Sequence, residues 1–341
     1  MIPQNPNGAI LITARVNQRW MTRLPMAQGA VYFSPKRRVF LSWGRFLPDS
    51  LPNGLVPLAV RRDALGTALE NLLREDGERR LQLEDDIPLD LYSQLQAIPD
   101  IELQPAHGVA EAWREIKDEW EIAQLAEASR LTDLAFEHIL TVLRPGMTEL
   151  EVAAELERSM RLGGCEEFNK TIVATGLHSA KPHHWPTDTP LRTGDFVTMD
   201  YGCTVNGYHS DLTRTIVIGK ATDEQKRIYA TVLDAQLAAE EQLWAGRISG
   251  EMDAVARDII EKTGYSGRFL HNLGHGIGLD IHEGTGLVRG SDTPLRAGMV
   301  VSVEPGIYVE GFGGVRIEDI AVVEANGCCV LEHSERALIE L

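Results

Sequence analysis

The chain has few cysteines, and their spacing excludes two classes of small, stapled protein. Only four occur in 341 residues, namely Cys165, Cys203, Cys328 and Cys329. No two of them form a CxxC pair, and the last two are adjacent. This pattern does not suit a disulfide framework or a cysteine zinc site. We therefore expect reduced thiols, as in a cytoplasmic protein.

Long apolar runs and an excess of positive charge are also missing. No stretch approaches the ~18 apolar residues that a membrane-spanning helix needs. Residues 1–7 carry no basic run, and the apolar stretch Ala9–Thr13 is too short for a signal peptide. Lys and Arg number 33 against 50 Asp and Glu, which gives a net charge of −17. This balance argues against nucleic acid or an anionic membrane as the main partner, and we expect a cytoplasmic location.

Two domains are expected from the chain length and from the Pro- and Gly-containing segment Pro105–Gly108. Residues 1–108 predict a small mixed α/β domain, with strands at Ala9–Ile12, Ala30–Phe33 and Val39–Ser42 and a helix at Asp63–Arg74. Residues 109–341 predict an α+β domain, with helices on one side of a largely antiparallel sheet. Its expected helices are Glu111–Leu143, one that Thr148 and Glu151 begin with a capping box, Thr222–Leu243 and Glu251–Lys262. Its expected strands are Thr171–Ala174, Phe196–Tyr201, His209–Val217, Met299–Glu304 and Val315–Val323.

A predicted hairpin brings two carboxylates close together. Asn206-Gly207 lies between two strand-like segments and is typical of a type I′ turn. With a two-residue loop, Asp200 faces Thr213, and Asp211 becomes a diagonal neighbour of Asp200. Two carboxylates that are buried side by side repel each other, so they need a cation or a shared proton.

Two more carboxylates, Glu304 and Glu318, also end apolar strand segments. His275 lies in a glycine-rich run at 274–278, where glycines let the backbone approach a crowded centre. Four carboxylates and one histidine, with Arg214 and Arg316 as the only Lys or Arg residues on these strands, indicate a site for a hard cation. His271 lies four residues before His275, but the glycines disfavour a helix, so a zincin-type histidine pair is not expected.

These residues together resemble the pita-bread metallopeptidases, the family of methionine aminopeptidase, aminopeptidase P, prolidase and creatinase. The resemblance rests on five motifs in order: Met199-Asp200-Tyr201-Gly202, Ser210-Asp211-Leu212-Thr213-Arg214-Thr215, Gly274-His275-Gly276-Ile277-Gly278, Val303-Glu304-Pro305-Gly306 and Val315-Arg316-Ile317-Glu318-Asp319. Residues 16–22 are similar to the start of the creatinase-type N-terminal domain. The resemblance implies a pita-bread catalytic domain at 109–341, preceded by a small creatinase-type domain at 1–108.

The resemblance also implies a two-metal hydrolytic site. Asp200 would bind one metal, His275 and Glu304 would bind the other, and Asp211 and Glu318 would bridge both. A water or hydroxide that both metals activate would attack the peptide carbonyl, and Glu304 would carry its proton to the leaving nitrogen. The ligand set suits manganese, cobalt or zinc.

Other positions are matched to the substrate by the same resemblance. His183 corresponds to the residue that hydrogen-bonds the substrate carbonyl, and His282 to the one that contacts the residue after the scissile bond. Arg316 is expected to orient a ligand carboxylate or a substrate group. His178 and His184 fall where the family does not use histidine, so we expect structural roles for them.

Two activities of the family fit the chain. A prolidase cleaves the Xaa-Pro bond of dipeptides, which the short N-terminal domain favours, whereas an Xaa-Pro aminopeptidase acts on longer peptides. A dipeptidase needs a cation for the free C-terminal carboxylate, and Gly286 stands where many prolidases have an arginine. Arg289, or one of Arg37, Arg38 and Arg45, could substitute. A non-catalytic pita-bread binding protein is disfavoured because all five ligands are kept. The family also implies a homodimer.

Overall fold

The computed structural model describes residues 8–45 and 47–341 of the chain. The chain divides into two compact units, the first ending at Arg114 and the second running from Glu115 to Leu341. This division falls a few residues beyond the predicted boundary at 108. All four cysteines are free thiols. Within the described residues, no helix is long and apolar enough to cross a membrane.

The first unit contains a six-stranded mixed sheet in the order β4-β3-β2-β1-β5-β6. The pairings β1–β2 and β2–β3 are antiparallel, and the other three are parallel. Its strands are β1 Ala9–Ile12, β2 Gly29–Phe33, β3 Arg38–Ser42, β4 Val56–Ala59, β5 Arg80–Leu83 and β6 Glu102–Pro105. Its helices are α1 Arg15–Thr22, α2 Leu65–Asp76, α3 Leu89–Gln96 and α4 Val109–Arg114. The three predicted strands and the predicted helix near residue 65 are confirmed.

The prediction of one long helix over Glu111–Leu143 is wrong, because the helix is interrupted between Arg114 and Glu119. Helix α5 begins there and spans Glu119–Val142. Asp118 precedes it in an extended conformation, and its side chain accepts from the N–H of Glu121, whose carboxylate accepts from the N–H of Asp118. This reciprocal capping box makes Asp118 a helix start rather than a helix interior.

Three further α-helices follow in the second unit, and two of them begin with capping boxes. They are α6 Glu149–Gly163, α7 Asp223–Glu241 and α8 Ser249–Ile260. Thr148 and Glu151 cap α6 as predicted, and Thr222 and Gln225 cap α7 in the same way.

The ladders between the described strands of the second unit are all antiparallel, but they form four small sheets rather than the single predicted sheet. Two sheets have three strands, in the orders β11-β8-β7 and β12-β15-β16, and the pairs β9–β10 and β13–β14 form the others. The strands are β7 Ile172–Thr175, β8 Phe196–Tyr201, β9 Thr204–Val205, β10 Tyr208–His209, β11 Leu212–Val217, β12 Val300–Val303, β13 Gly306–Val309, β14 Gly313–Arg316, β15 Asp319–Glu324 and β16 Gly327–Val330.

Two predicted strands are interrupted, each at a carboxylate of interest. His209–Val217 is broken at Asp211, which lies between β10 and β11. Val315–Val323 is broken at Glu318, which lies between β14 and β15. The main-chain N–H of Glu318 donates instead to the carbonyl of Thr213 at 3.1 Å. The interruptions therefore turn both carboxylates out of regular ladders.

A helix pair packs on each three-stranded sheet of the second unit. Helices α5 and α6 bury apolar side chains such as Leu131 and Leu156 against the sheet that contains Val197. Helices α7 and α8 bury others, among them Val232 and Met252, against β12 and β15. The strands that carry the site residues are therefore backed by packed helices.

Candidate metal centre and substrate cavity

The hairpin that carries Asp200 forms as predicted. Asn206 and Gly207 both have positive φ, 49° and 81°, as a type I′ turn requires. In the β8–β11 ladder, Thr213 lies directly opposite Asp200. The register inferred from two turn residues is therefore confirmed.

Glu304 and His275 share one serine. The hydroxyl of Ser302 donates to Oε1 of Glu304 at 3.1 Å and accepts the main-chain N–H of His275 at 2.9 Å. The glycine before the histidine is required by this close approach, because a Cβ on Gly274 would lie 1.9 Å from the carbonyl oxygen of Ser302. The packing of a loop on β12 thus fixes the two side chains relative to each other.

His275 points one ring nitrogen at two carboxylates. Its Nδ1 lies 3.1 Å from the carbonyl oxygen of Gly276, which fixes a hydrogen on that nitrogen. Its Nε2 lies 3.5 Å from Oδ2 of Asp211 and 3.6 Å from Oε1 of Glu304. The hydroxyl of Thr213 donates to Oε2 of Glu318 at 2.5 Å, which brings the fourth carboxylate to the same place.

The donor set fits a divalent cation. Asp211, His275 and Glu318 each offer a ligand atom, and these atoms all lie within 4.8 Å of one another. Burial raises the pKa of Asp200 to about 6 and that of Glu304 to about 7, and neighbouring carboxylates add to both shifts. Such crowding of buried acids is the repulsion that a bound cation relieves.

Glu318 and His275 show the effect of the same crowding. Burial, and then Asp211, raise the pKa of Glu318 well above its ordinary range. Burial opposes a charge on His275, but the Asp211 and Glu304 carboxylates outweigh it and raise the pKa of this imidazole to about 9. Both shifts reflect the same excess of buried negative charge, which a bound cation would relieve.

These groups open onto a cavity of about 770 Å³. All five predicted ligands lie on its wall, together with His183, His282 and Arg316. The rings of His275 and His282 are 4.0 Å apart between centroids. The structure therefore brings every predicted site residue to one cavity of the second unit.

Comparison with known proteins decides the family. The model of metallopeptidase family M24 matches residues 123–325. A Bacillus subtilis (strain 168) protein named "Uncharacterized peptidase YqhT" is 38% identical over 337 residues, which cover 97% of this chain and 95% of the relative. The chain belongs to metallopeptidase family M24.

Solved structures of this M24 fold match nearly the whole chain. An Xaa-Pro dipeptidase from Bacillus anthracis has a TM-score of 0.92 at 41% identity, covering 98% of this chain and 95% of that one. An X-Pro aminopeptidase from Thermotoga maritima MSB8 has a TM-score of 0.92 at 32% identity, covering 98% and 97%. The fold is therefore the pita-bread fold of the M24 metallopeptidases, preceded by a mixed α/β N-terminal domain.

Arg316 of this M24 metallopeptidase is buried and fully engaged. Its guanidinium contacts the carboxylate of Asp200, donates to the Thr213 hydroxyl at 3.1 Å and donates to the Tyr308 hydroxyl at 2.8 Å. Burial would disfavour its charge, but Tyr308 and then Asp200 raise its pKa well above the ordinary value. Of the two roles predicted for it, orienting a ligand carboxylate fits these contacts.

His271, which was not expected to form a zincin-type pair with His275, lies in the cavity wall. Its Nδ1 faces the Asn272 carbonyl at 2.8 Å, so Nε2 accepts from the Tyr308 hydroxyl, also at 2.8 Å. Burial and then Arg316 lower its pKa to about 3, which keeps the ring neutral. No helix forms here, so the zincin pattern is rightly rejected, but the histidine still belongs to the site. In the sequence, the feature that could have placed His271 in the site is its spacing of four residues from His275.

His178 and His184 lie away from the five ligands and share one buried carboxylate. His178 Nδ1 and His184 Nε2 each lie 2.9 Å from an oxygen of Glu149. Glu149 also accepts from the N–H of Thr175 at 2.8 Å and from the hydroxyl of Thr187 at 2.7 Å. These bonds tie the start of α6 to the loop after β7, which is a structural role for both histidines.

None of the four arginines suggested for the substrate carboxylate lines the described cavity. Arg37 pairs with Glu75 and Asp76 inside the first unit. Arg38 donates to the carbonyl of Asn53 and stacks on the ring of Phe33. The side chains of the other two, Arg45 and Arg289, are exposed.

Proposed function

We propose that this chain is an Xaa-Pro dipeptidase, which hydrolyses the peptide bond before proline in dipeptides. The observation that carries the proposal is the cavity wall on which Asp211, His275 and Glu318 offer ligand atoms within 4.8 Å of one another. The likeness to the Bacillus anthracis Xaa-Pro dipeptidase, over 98% of this chain, supports the substrate class.

Two divalent cations per subunit would be held by five residues, and manganese, cobalt or zinc suits them. Asp200 would bind one cation, His275 and Glu304 the other, and Asp211 and Glu318 both. When bound, such cations supply Lewis acidity and make water acidic enough to act as a nucleophile near neutral pH. This assignment is supported by the crowded, buried carboxylates and by the Nε2 lone pair that the Gly276 carbonyl leaves on His275.

Glu304 would move the proton in this reaction. Ser302 holds its Oε1, and a carboxylate fixed next to the attacking water can act first as a general base and then as a general acid. The carboxylate would take a proton from the attacking water and deliver it to the leaving nitrogen of proline.

His183 and His282 would bind the substrate as neutral donors. Burial lowers the pKa of both rings, with Arg316 adding to the effect at His183 and His275 at His282. A neutral imidazole offers one N–H. His183 would donate to the substrate carbonyl, and His282 would contact the residue after the scissile bond.

The preference for proline would come from the apolar part of the cavity. A proline nitrogen has no N–H, so strand-like peptide binding cannot use it. The cavity wall offers apolar surface for the ring from Phe168, Ile172, Pro182, Ile281 and Val288.

An Xaa-Pro aminopeptidase acting on longer peptides is the second candidate, favoured by Gly286 in place of an arginine and by the similarity to the Thermotoga maritima enzyme. The test compares Ala-Pro with Ala-Pro-Ala under added manganese. Cleavage of the dipeptide alone supports the dipeptidase, and comparable cleavage of the tripeptide overturns it. A homodimer remains a prediction.

A further inference from the structure

A dipeptide presents a free carboxylate one residue beyond the bond that is cut, and a site that selects dipeptides needs a cation there. The need for such a cation rests on the proposed function, because a dipeptidase selects for this carboxylate. Among the described residues that line the cavity, and apart from the histidines, two have cationic side chains, Lys170 and Arg316. These two residues are therefore the candidates for binding the substrate carboxylate.

Arg316 is not available for this task. It is 3% exposed, and its guanidinium is occupied by Asp200, by the Thr213 hydroxyl and by the Tyr308 hydroxyl. A substrate carboxylate would have to displace a carboxylate of the metal centre to reach it.

Lys170 is available. Its side chain is exposed, and its ammonium lies 4.2 Å from the ring centroid of Trp185. Among the described residues, its contact is with this ring rather than with a carboxylate. An exposed cation–π contact is weaker than a charge-assisted hydrogen bond to a carboxylate. The carboxylate of a bound substrate can therefore replace the Trp185 ring as the partner of the ammonium.

The position of Lys170 suits a carboxylate one residue beyond the scissile bond. It lies two residues before Ile172, which pairs directly opposite Asp200 in the β7–β8 ladder. Two residues of chain span at most about 7 Å, so the backbone of Lys170 lies close to the strand that carries Asp200. Lys170 shares the cavity wall with His183, and its charge is felt there, adding to burial and Arg316 in lowering the pKa of that imidazole.

We propose that Lys170 binds the C-terminal carboxylate of the dipeptide substrate, and so does the work of the arginine that Gly286 replaces. The residue determines specificity for a charged C-terminus. It acts on the substrate directly and is not needed for the chemical step.

The test measures KM and kcat for Ala-Pro and for Ala-Pro amide, whose C-terminus is uncharged, with manganese-loaded enzyme. Lys170→Met should raise KM for Ala-Pro about ten- to a hundredfold, the value of one charge-assisted hydrogen bond, with kcat nearly unchanged. KM for the amide should stay the same. Lys170→Arg should keep most of the affinity for Ala-Pro, because the charge is retained.

Arg289→Met serves as the matched control, since it removes an exposed cation next to Val288 of the cavity wall. It should leave both substrates unaffected. A wild-type KM for Ala-Pro in Lys170→Met, an equal loss on Ala-Pro and its amide, or a KM rise in Arg289→Met would each overturn the inference. If the wild-type enzyme does not cleave Ala-Pro at all, the proposed function itself fails, and that result appears before any variant is made.

Discussion

The hydroxyl of Ser302 donates to Glu304 at 3.1 Å and accepts the main-chain N–H of His275 at 2.9 Å. One buried side chain thus orients two candidate ligands. We predict that Ser302→Ala lowers metal affinity about ten- to a hundredfold, the usual loss when such a supporting group is removed. Calorimetric titration of the metal-stripped protein with manganese measures this.

A buried serine elsewhere is the control for that variant. Ser129 donates to Glu332 at 2.6 Å, outside the cavity. Ser129→Ala should destabilise the fold without changing metal affinity. Equal manganese affinities in Ser302→Ala and wild type would contradict the role of Ser302.

The contacts of Arg316 predict that lysine cannot replace it. The planar guanidinium contacts Asp200, Thr213 and Tyr308 together, whereas a lysine ammonium is a compact point charge. Arg316→Lys should therefore lower manganese affinity and lose about 2 kcal/mol of unfolding free energy, the worth of a hydrogen bond to a charged group. Tyr308→Phe, which removes one partner only, should have the smaller effect in both measurements. A fully functional Arg316→Lys variant would refute this reading of the contacts.

How much of this site could be predicted depends on the range of the interaction. Asn206-Gly207 fixes a turn locally, so the pairing of Asp200 with Thr213 follows from the sequence. The capping box of Thr148 and Glu151 is equally local.

The features that were not predicted depend on distant partners. Apolar residues on both sides of Glu318, such as Ile317 and Ile320, predict one continuous strand. In the structure the strand is interrupted, and the N–H of Glu318 donates to the carbonyl of the distant Thr213. Lys170 lies in irregular chain before β7, where periodicity carries no information. Only the fold brings it to the cavity.

Metal binding should weaken as the pH falls. Without a cation, the pKa of Asp200 is about 6, that of Glu304 about 7 and that of His275 about 9. Each group must lose its proton to become a ligand, so binding releases protons and is favoured at higher pH. Manganese affinity should therefore rise from pH 6 to pH 9. Titrations in buffers of different ionisation enthalpy should report proton release, and an affinity that is flat over this range would count against the assigned ligands.

A buried ion pair supports the loop that carries His282. Lys117 Nζ lies 2.9 Å from Oε1 of Glu283, and both side chains are buried. Lys117→Met should destabilise the protein by about 3–5 kcal/mol, because the buried Glu283 carboxylate loses the ammonium that it faces. Denaturant unfolding measures this loss.

Two further variants check the origin of that effect. The double variant Lys117→Met/Glu283→Gln should recover part of the stability, because neither charge remains. Lys220→Met breaks the exposed pair with Glu340 and should change the stability little. A Lys117→Met variant as stable as wild type would show that the pair contributes nothing.

The central claim is that this M24 metallopeptidase hydrolyses Ala-Pro with metal held by the five ligands. The most direct measurement strips the protein with a chelator, reloads it with manganese, and determines metal per chain and Ala-Pro hydrolysis on the same sample. We predict two ions per chain and hydrolysis that returns with the metal, with both lost in Asp211→Ala. A protein that binds no manganese and leaves Ala-Pro and other Xaa-Pro peptides uncut after loading would contradict the claim.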